Sequence, residues 1–132
     1  MEWIAKKTGF EIVCGGEVFL RSEAECPMVF IGSGEESVSM HRGYYDITDH
    51  ITERIPLAVT EVTQKGQSVE VNFSDRLTAV FELEKDRICV KFHPSGQGIN
   101  RFWLRIPAEK EEACYGCGEQ FSYFNLRGRH FP

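Results

Sequence analysis

The feature that most constrains the fold of this chain is the alternation of apolar and polar residues in the segment VEVNF. Val69, Val71 and Phe73 point to one side of an extended chain, whereas Glu70 and Asn72 point to the other. Successive side chains of a β-strand lie on opposite faces, so this pattern is that of a strand with one buried face. The segment therefore predicts a half-buried strand in a sheet.

Comparable segments recur at spacings of about 8–12 residues, separated by polar or glycine-rich turns. The predicted strands are Glu11–Cys14, Glu17–Leu20, Met28–Ile31, Ser37–Thr48, Val59–Thr63, Val69–Phe73, Thr78–Leu83, Ile88–Phe92 and Ile99–Ile106. Gly15-Gly16 suits a tight hairpin loop with positive φ angles, and Gly32-Ser33-Gly34 is expected to end a strand. Residues 108–112 predict no more than one helical turn. About nine strands without a long helical period predict an all-β sandwich or barrel.

Length and charge limit the functions open to the chain. Its 132 residues fit one domain, and 42% hydrophobic with 27% charged residues is typical of a globular protein. The net charge of −5 disfavours nucleic acid as a partner, because a phosphate backbone requires a basic surface. The sequence has neither a polybasic helix nor a run of roughly 20 apolar residues, so we predict no membrane partner.

The N-terminal sequence and the cysteine count favour a cytoplasmic protein. The first ten residues, MEWIAKKTGF, carry an acid at position 2 and lack the apolar run of a secretory signal. Five cysteines are an odd number, which favours reduced thiols over a disulfide framework. They are Cys14, Cys26, Cys89, Cys114 and Cys117.

Cys114 and Cys117 have the spacing of half a zinc site or of a redox dithiol. A structural zinc site needs four ligands, and the four histidines are too scattered to supply a second pair. A thioredoxin-type dithiol opens a helix in a βαβ setting, and this sequence has no such pattern. We therefore predict no metal and no cofactor, and two reduced, half-buried thiols in a strand and turn.

Two other kinds of catalytic site have weaker signals. No local signature accompanies a cysteine nucleophile. Asp46 and Asp49 could form a pair of glycosidase carboxylates, but acids that flank a loop are more often simply solvated. Aromatic residues such as Tyr44 and Tyr45 could stack on a sugar, although the core is the commoner place for aromatic rings.

The C-terminal segment carries the most specific motif. Residues 115–132 read YGCGEQFSYFNLRGRHFP, in which Tyr-Gly-x-Gly-Glu precedes an aromatic and polar loop. This segment resembles the end of the N-terminal β-sandwich of glycoside hydrolase family 31. It is most similar to the bacterial branch that contains α-glucosidases and sulfoquinovosidases. Residues 40–45, MHRGYY, are similar to a Met-x-Arg-Gly-aromatic segment of that branch.

The resemblance implies a mutarotase-like antiparallel β-sandwich (supersandwich) of about nine or more strands. It also implies that residues 1–132 are a single N-terminal domain, truncated before a (β/α)8 catalytic barrel that is its partner. Family members are retaining glycosidases whose two catalytic aspartates lie on that barrel, so no catalytic residue is expected in this chain. We therefore expect an accessory domain of an α-glycosidase of carbohydrate metabolism, acting on an α-linked sugar.

The resemblance also implies roles for the loop after the Gly-Glu turn, which in family members reaches over the barrel mouth. The residues expected at the substrate or barrel rim are Gln120, Phe121, Asn125 and Arg127, the last as an anchor of the loop. The residues expected to order the loop are Tyr115, Gly116, Gly118 and Glu119. The glycines allow backbone conformations or close approaches closed to other residues, and the glutamate is expected to accept hydrogen bonds or pair with an arginine.

Two further expectations concern binding partners. The alternative to an accessory domain is a free-standing, lectin-like module that binds carbohydrate through surface aromatic residues. The isolated domain is also expected to expose an apolar patch where the barrel would dock, which favours a homodimer. That patch would include some of Tyr115, Phe121, Phe124 and Phe131.

Overall fold

The computed structural model describes residues 1–85, 87–115 and 126–128. The strands of these residues are β1 (Glu2–Lys6), β2 (Gly9–Cys14), β3 (Glu17–Ser22), β4 (Val29–His41), β5 (Tyr44–Pro56), β6 (Val59–Lys65), β7 (Ser68–Phe73), β8 (Leu77–Leu83), β9 (Ile88–Pro94) and β10 (Arg101–Leu104). No helix that could span a membrane occurs in this part of the chain. The prediction of an all-β chain is confirmed.

The strands form antiparallel sheets. Over the described residues the strand orders are β1-β2-β3, β10-β4-β5 and β6-β7-β8-β9. Sheet neighbours are mostly consecutive in the chain, as in a series of hairpins, but β10 pairs with β4 from a distant part of the sequence. The predicted antiparallel architecture is therefore confirmed.

The chain divides into two compact units, and the hydrophobic core lies in the larger one. The larger unit comprises Met1–Glu35 and His50–Pro107, and the smaller one comprises Glu36–Asp49 and Ala108–Pro132. All three sheets contribute side chains to the core, which makes the larger unit a β-sandwich. The buried core residues are Phe10, Ile12, Leu20, Met28, Val29, Ile31, Leu57, Val69, Val71, Phe73, Leu77, Ala79 and Phe81.

The alternation in β7 sets the inner face of the four-stranded sheet. Val69, Val71 and Phe73 are all buried, and the polar residues between them are only partly covered. β7 pairs with β8 along its length and places Val71 opposite the buried Ala79. The two central strands therefore present a continuous apolar surface to the core, as the sequence pattern predicts.

The hairpin between β2 and β3 has the predicted glycine loop. Gly15 and Gly16 adopt φ angles of 63° and 90°. Tight two-residue hairpin turns have central residues with positive φ angles. Glycine adopts such angles without the steric cost that a Cβ atom imposes. The loop allows β2 to return as β3, with Phe10 and Ile12 of β2 fully buried.

Phe10 is the centre of an aromatic cluster in the core. Its ring stacks on Trp3 with a centroid distance of 4.2 Å and meets Phe81 and Phe73 edge-on at 5.3 Å and 6.4 Å. Aromatic pairs of this kind contribute about 0.5–1.5 kcal/mol each beyond the burial of their area. Trp3 belongs to β1, a strand that the sequence pattern does not predict, and its stacking on Phe10 explains how this strand packs against the core.

The prediction that Gly32-Ser33-Gly34 ends a strand is wrong. β4 continues through these residues to His41, and the chain reverses instead at Arg42 and Gly43, whose φ angles are 51° and 80°. A Cβ atom on Gly32 would overlap a main-chain oxygen of β5. This glycine therefore permits close approach of two strands. The single predicted segment Ser37–Thr48 is correspondingly divided between β4 and β5.

Asn100 extends the pairing of β4 beyond the end of β10. Its side-chain amide donates a hydrogen bond to the Gly34 carbonyl at 2.9 Å and accepts one from the Gly34 N–H at 3.0 Å. Its own main-chain N–H donates to the Gly32 carbonyl at 3.1 Å. Gly34 is buried, so its polar main-chain groups need partners inside the protein, and one asparagine side chain supplies both.

Candidate functional site

The predicted site lies in the C-terminal segment, of which the structure describes the residues up to Tyr115 and those from Leu126 to Gly128. Tyr115 and Arg127 are thus the predicted site residues that can be placed. The others, outside the described residues, are Gly116, Gly118, Glu119, Gln120, Phe121 and Asn125. Their roles remain predictions.

Two hydrogen bonds join the described parts of this segment. The Leu126 N–H donates to the Cys114 carbonyl at 2.7 Å, and a guanidinium nitrogen of Arg127 donates to the Glu112 carbonyl. Leu126 is only 7% exposed, whereas the Arg127 contact is accessible to solvent. The residues on either side of the predicted loop are therefore held next to each other.

The carbonyl that accepts from Arg127 belongs to a local turn. The Glu112 N–H donates to the Glu109 carbonyl at 3.2 Å, and the Glu109 N–H donates to a Glu112 carboxylate oxygen at 2.9 Å. This reciprocal pair agrees with the prediction of no more than one turn at residues 108–112. The turn fixes the orientation of the Glu112 carbonyl, and a hydrogen bond to that carbonyl from a charged group is stronger than one between neutral groups.

Tyr115 and Cys114 lie on the surface of the smaller unit. Tyr115 is 61% exposed. The Cys114 side chain is exposed, so the prediction of a half-buried thiol at this position is wrong, and Cys117 lies outside the described residues. Residues 1–85, 87–115 and 126–128 contain no group of three or more His, Cys, Asp or Glu side chains placed to hold a metal ion.

The carboxylates of Asp46 and Asp49 cannot act as a pair on one bond. Both residues belong to β5 and both are exposed. They are three positions apart in a strand, so their side chains project from opposite faces. A glycosidase pair must face one glycosidic bond across about 5–9 Å. The alternative of a carboxylate pair at these positions is therefore wrong.

The hairpin of β4 and β5 exposes an apolar face that the sequence pattern does not predict. The two-residue turn and the alternation of side chains place Val38, Met40, Tyr45 and Ile47 on one face of the hairpin. These side chains are between 49% and 66% exposed. The sequence signal for this face is an apolar residue at every second position on either side of Arg42 and Gly43. This signal indicates one shared face only when the chain is known to reverse at these two residues.

Comparison with known proteins extends the similarity to the whole chain. No protein-family model matches it. It is 38% identical over 132 residues to a sulfoquinovosidase of Agrobacterium fabrum and 36% identical over 120 residues to one of Escherichia coli. It also matches the structure of a family 31 sulfoquinovosidase from E. rectale in complex with an aza-sugar inhibitor, with a TM-score of 0.92 and 42% identity over 98% of this chain. The chain spans about a fifth of the length of these relatives, at 20%, 18% and 19%.

The antiparallel sandwich of this chain corresponds to one part of these longer proteins. Its similarity runs along nearly all of its residues and does not depend on the C-terminal motif alone. The resemblance of this chain to the N-terminal domain of glycoside hydrolase family 31 enzymes is confirmed.

Proposed function

We propose that this chain is the N-terminal accessory β-sandwich of a retaining α-glycosidase. A catalytic barrel on the same polypeptide carries out the hydrolysis, and the sandwich docks against it. The observation that supports this proposal is the similarity to sulfoquinovosidases at 36–42% identity. The substrate class is an α-linked sugar, and the activity named for the relatives makes an α-sulfoquinovoside the first substrate to test.

In this proposal the residues from Gln120 to Arg127 shape the rim of the active site. The hydrogen bonds made by Leu126 and Arg127 support this role, because they hold the base of the loop against the segment that precedes it. A loop with a fixed base loses less conformational entropy when its side chains engage a sugar or a neighbouring domain. Arg127 acts here as a positioning residue through the main chain of Glu112.

The surface of Tyr115 supports a docking role. Its side chain is 61% exposed, yet it combines a large apolar ring with a hydroxyl group. Such a side chain suits a boundary where one end becomes covered and the other keeps contact with water. We propose that the catalytic barrel covers this ring.

A chain extended to the length of the relatives tests the proposed function. We expect it to release the aryl group from an aryl α-sulfoquinovoside, and early time points in NMR spectra to show a sugar product with the α configuration. The 132-residue chain alone is expected to release none. A folded extended chain without activity on aryl α-glycosides of either sulfoquinovose or glucose would contradict the proposal.

A lectin-like module is the second candidate, because Tyr44 and Tyr45 are 65% and 60% exposed on the hairpin. Exposed rings of this kind can stack on a sugar face. Calorimetric titration with mono- and oligosaccharides separates the two functions. An accessory domain gives no saturable binding below about 1 mM, whereas a lectin gives saturable binding that Tyr44→Ala or Tyr45→Ala abolishes.

A further inference from the structure

A cluster of arginine and aromatic side chains lies in the larger unit, on residues that the proposed function does not use. The guanidinium carbon of Arg54 lies 4.7 Å from the ring centroid of Phe30 and 4.9 Å from that of Trp103. The guanidinium carbon of Arg105 lies 4.9 Å from the Phe30 centroid. Phe30 and Trp103 are paired across β4 and β10, so the register of the sheet brings the two rings together.

Phe30 and Arg105 also line a cavity of about 360 Å³. The other lining residues are Ala24, Pro27, Pro56, Leu57 and Ala58. Apart from Arg105, none of them has a polar side chain. Small-molecule sites measure roughly 300–1,000 Å³ and combine apolar walls with a few polar groups. This cavity has the size and the composition for one or two fused aromatic rings or a short alkyl chain, with a cation at its margin.

Arg54 and Arg105 have no acidic partner among the described residues. Other cations of this part of the chain do form salt bridges, for example Lys6 with Glu11 and Lys91 with Glu82. Both arginines are exposed, and Arg105 makes one further weak contact of 3.9 Å with the sulfur of Cys26. Their guanidinium groups share one ring, so they are no more than about 10 Å apart and reinforce a positive potential there. This local charge contrasts with the chain's net charge of −5.

We propose that this cavity binds an organic monoanion, a carboxylate or a sulfonate carried on an apolar body. The apolar body packs against Phe30 and Leu57, and the anionic group accepts hydrogen bonds from Arg105, with Arg54 adding favourable charge. A guanidinium that stacks on a ring uses its face and keeps its N–H edge for a ligand. That edge matches the spacing of carboxylate or sulfonate oxygens. The site is independent of the proposed glycosidase function.

Three matched probes test this site on the 132-residue chain: naphthalene-2-sulfonate, 2-naphthoate and the neutral 2-naphthol. We expect calorimetry to show saturable binding of at least one anion, at least about tenfold tighter than binding of the alcohol. Binding should weaken as salt rises, because screening reduces the charge contribution. NMR spectra should show the largest amide shifts at lining residues such as Ala24 and Ala58. The anion that binds distinguishes a carboxylate site from a sulfonate site.

Substitutions connect the binding to the two arginines. Arg105→Gln is expected to weaken binding of the anion about tenfold or more, and Arg54→Gln by a smaller factor. Arg105→Lys should fall between the parent and Arg105→Gln, since it keeps the charge and loses the planar fork. Arg21→Gln is the control, because Arg21 is an exposed arginine of β3 and its loss changes the net charge equally. The control affinity should stay within about twofold of the parent.

Urea midpoints show whether each variant is folded before its affinity is compared. The proposal is overturned if neither anion binds saturably, or if 2-naphthol binds as tightly as the anions. It is also overturned if Arg21→Gln weakens binding as much as Arg105→Gln does, because the effect would then reflect net charge and not this cavity.

Discussion

Replacement of Asn100 by alanine removes both hydrogen bonds that its side chain makes to Gly34, at 2.9 Å and 3.0 Å. A hydrogen bond in a folded protein contributes a net 0.5–1.5 kcal/mol, so the pair contributes about 1–3 kcal/mol to the free energy of unfolding. For a domain of this size, the expected decrease in Tm is roughly 4–12 °C. Water can reach the exposed Asn100 position, which places the expected loss in the lower half of that range.

Urea denaturation measures this loss. Trp103 is a suitable fluorescence probe, because its ring lies beside Gly32 in the same sheet as Gly34. Gln97→Ala is the matched control, since Gln97 is exposed and precedes Asn100 in the same loop. The control is expected to change the free energy of unfolding by less than about 0.5 kcal/mol. A loss in Asn100→Ala no larger than that of the control would refute the role assigned to the amide.

Asn100→Asp adds a pH signature. An ionised aspartate still accepts from the Gly34 N–H, but it cannot donate to the Gly34 carbonyl and repels its oxygen. A protonated aspartate can make both contacts, so folding favours the neutral form and raises the carboxyl pKa above the unfolded value of about 3.9. With a raised folded-state pKa, the stability of the variant relative to the parent should fall as pH rises above about 4. A pH-independent difference between pH 3 and 7 would contradict this account.

Three more substitutions test the core, the strand contacts and the loop. Phe10→Ala should lower the free energy of unfolding by about 3–5 kcal/mol, and Phe10→Leu by clearly less, in urea titrations. Gly32→Ala should lower the free energy of unfolding more than Gly66→Ala does, because a Cβ at Gly32 meets main chain whereas one at Gly66 meets open space. Gly66 has a φ angle of 63°, so a loss of about 1–2 kcal/mol is expected for Gly66→Ala. Equal losses for the two variants would contradict this distinction. In the extended chain, Arg127→Ala should lower kcat/KM about tenfold, and Arg127→Lys should lower it less. An unchanged kcat/KM in Arg127→Ala would exclude a positioning role.

The four-stranded sheet could be predicted from the sequence because its signal is local. β7, β8 and β9 each alternate over their own few residues, and polar turns near Gly66 and Lys85 separate strands of this sheet. The inner face of β7 follows directly from the order of Val69, Val71 and Phe73. In these strands the face predicted from the local alternation is the face that packs against the core, so local sequence and tertiary packing agree.

β1 and the arginine cluster could not be predicted, because their signals are tertiary. β1 has one half-buried aromatic residue, Trp3, and its other side chains are exposed. Its sequence, EWIAK, has no alternation of apolar and polar residues. β1 is held by the stacking of Trp3 on Phe10. Similarly, Phe30, Arg54 and Arg105 lie in separate parts of the sequence. They become neighbours because β10, which Arg105 directly follows, and β5 both pair with β4.

The glycines show why one residue type led to one correct and one wrong prediction. The sequence predicts a turn at Gly15 and Gly16, and both have positive φ angles with open space at the Cβ position. Gly32 looks the same in the sequence, but its φ is not positive, and its Cβ position is occupied by a main-chain oxygen of β5. Glycine therefore marks either a backbone conformation or an approach of two strands, and only the neighbouring strand distinguishes them.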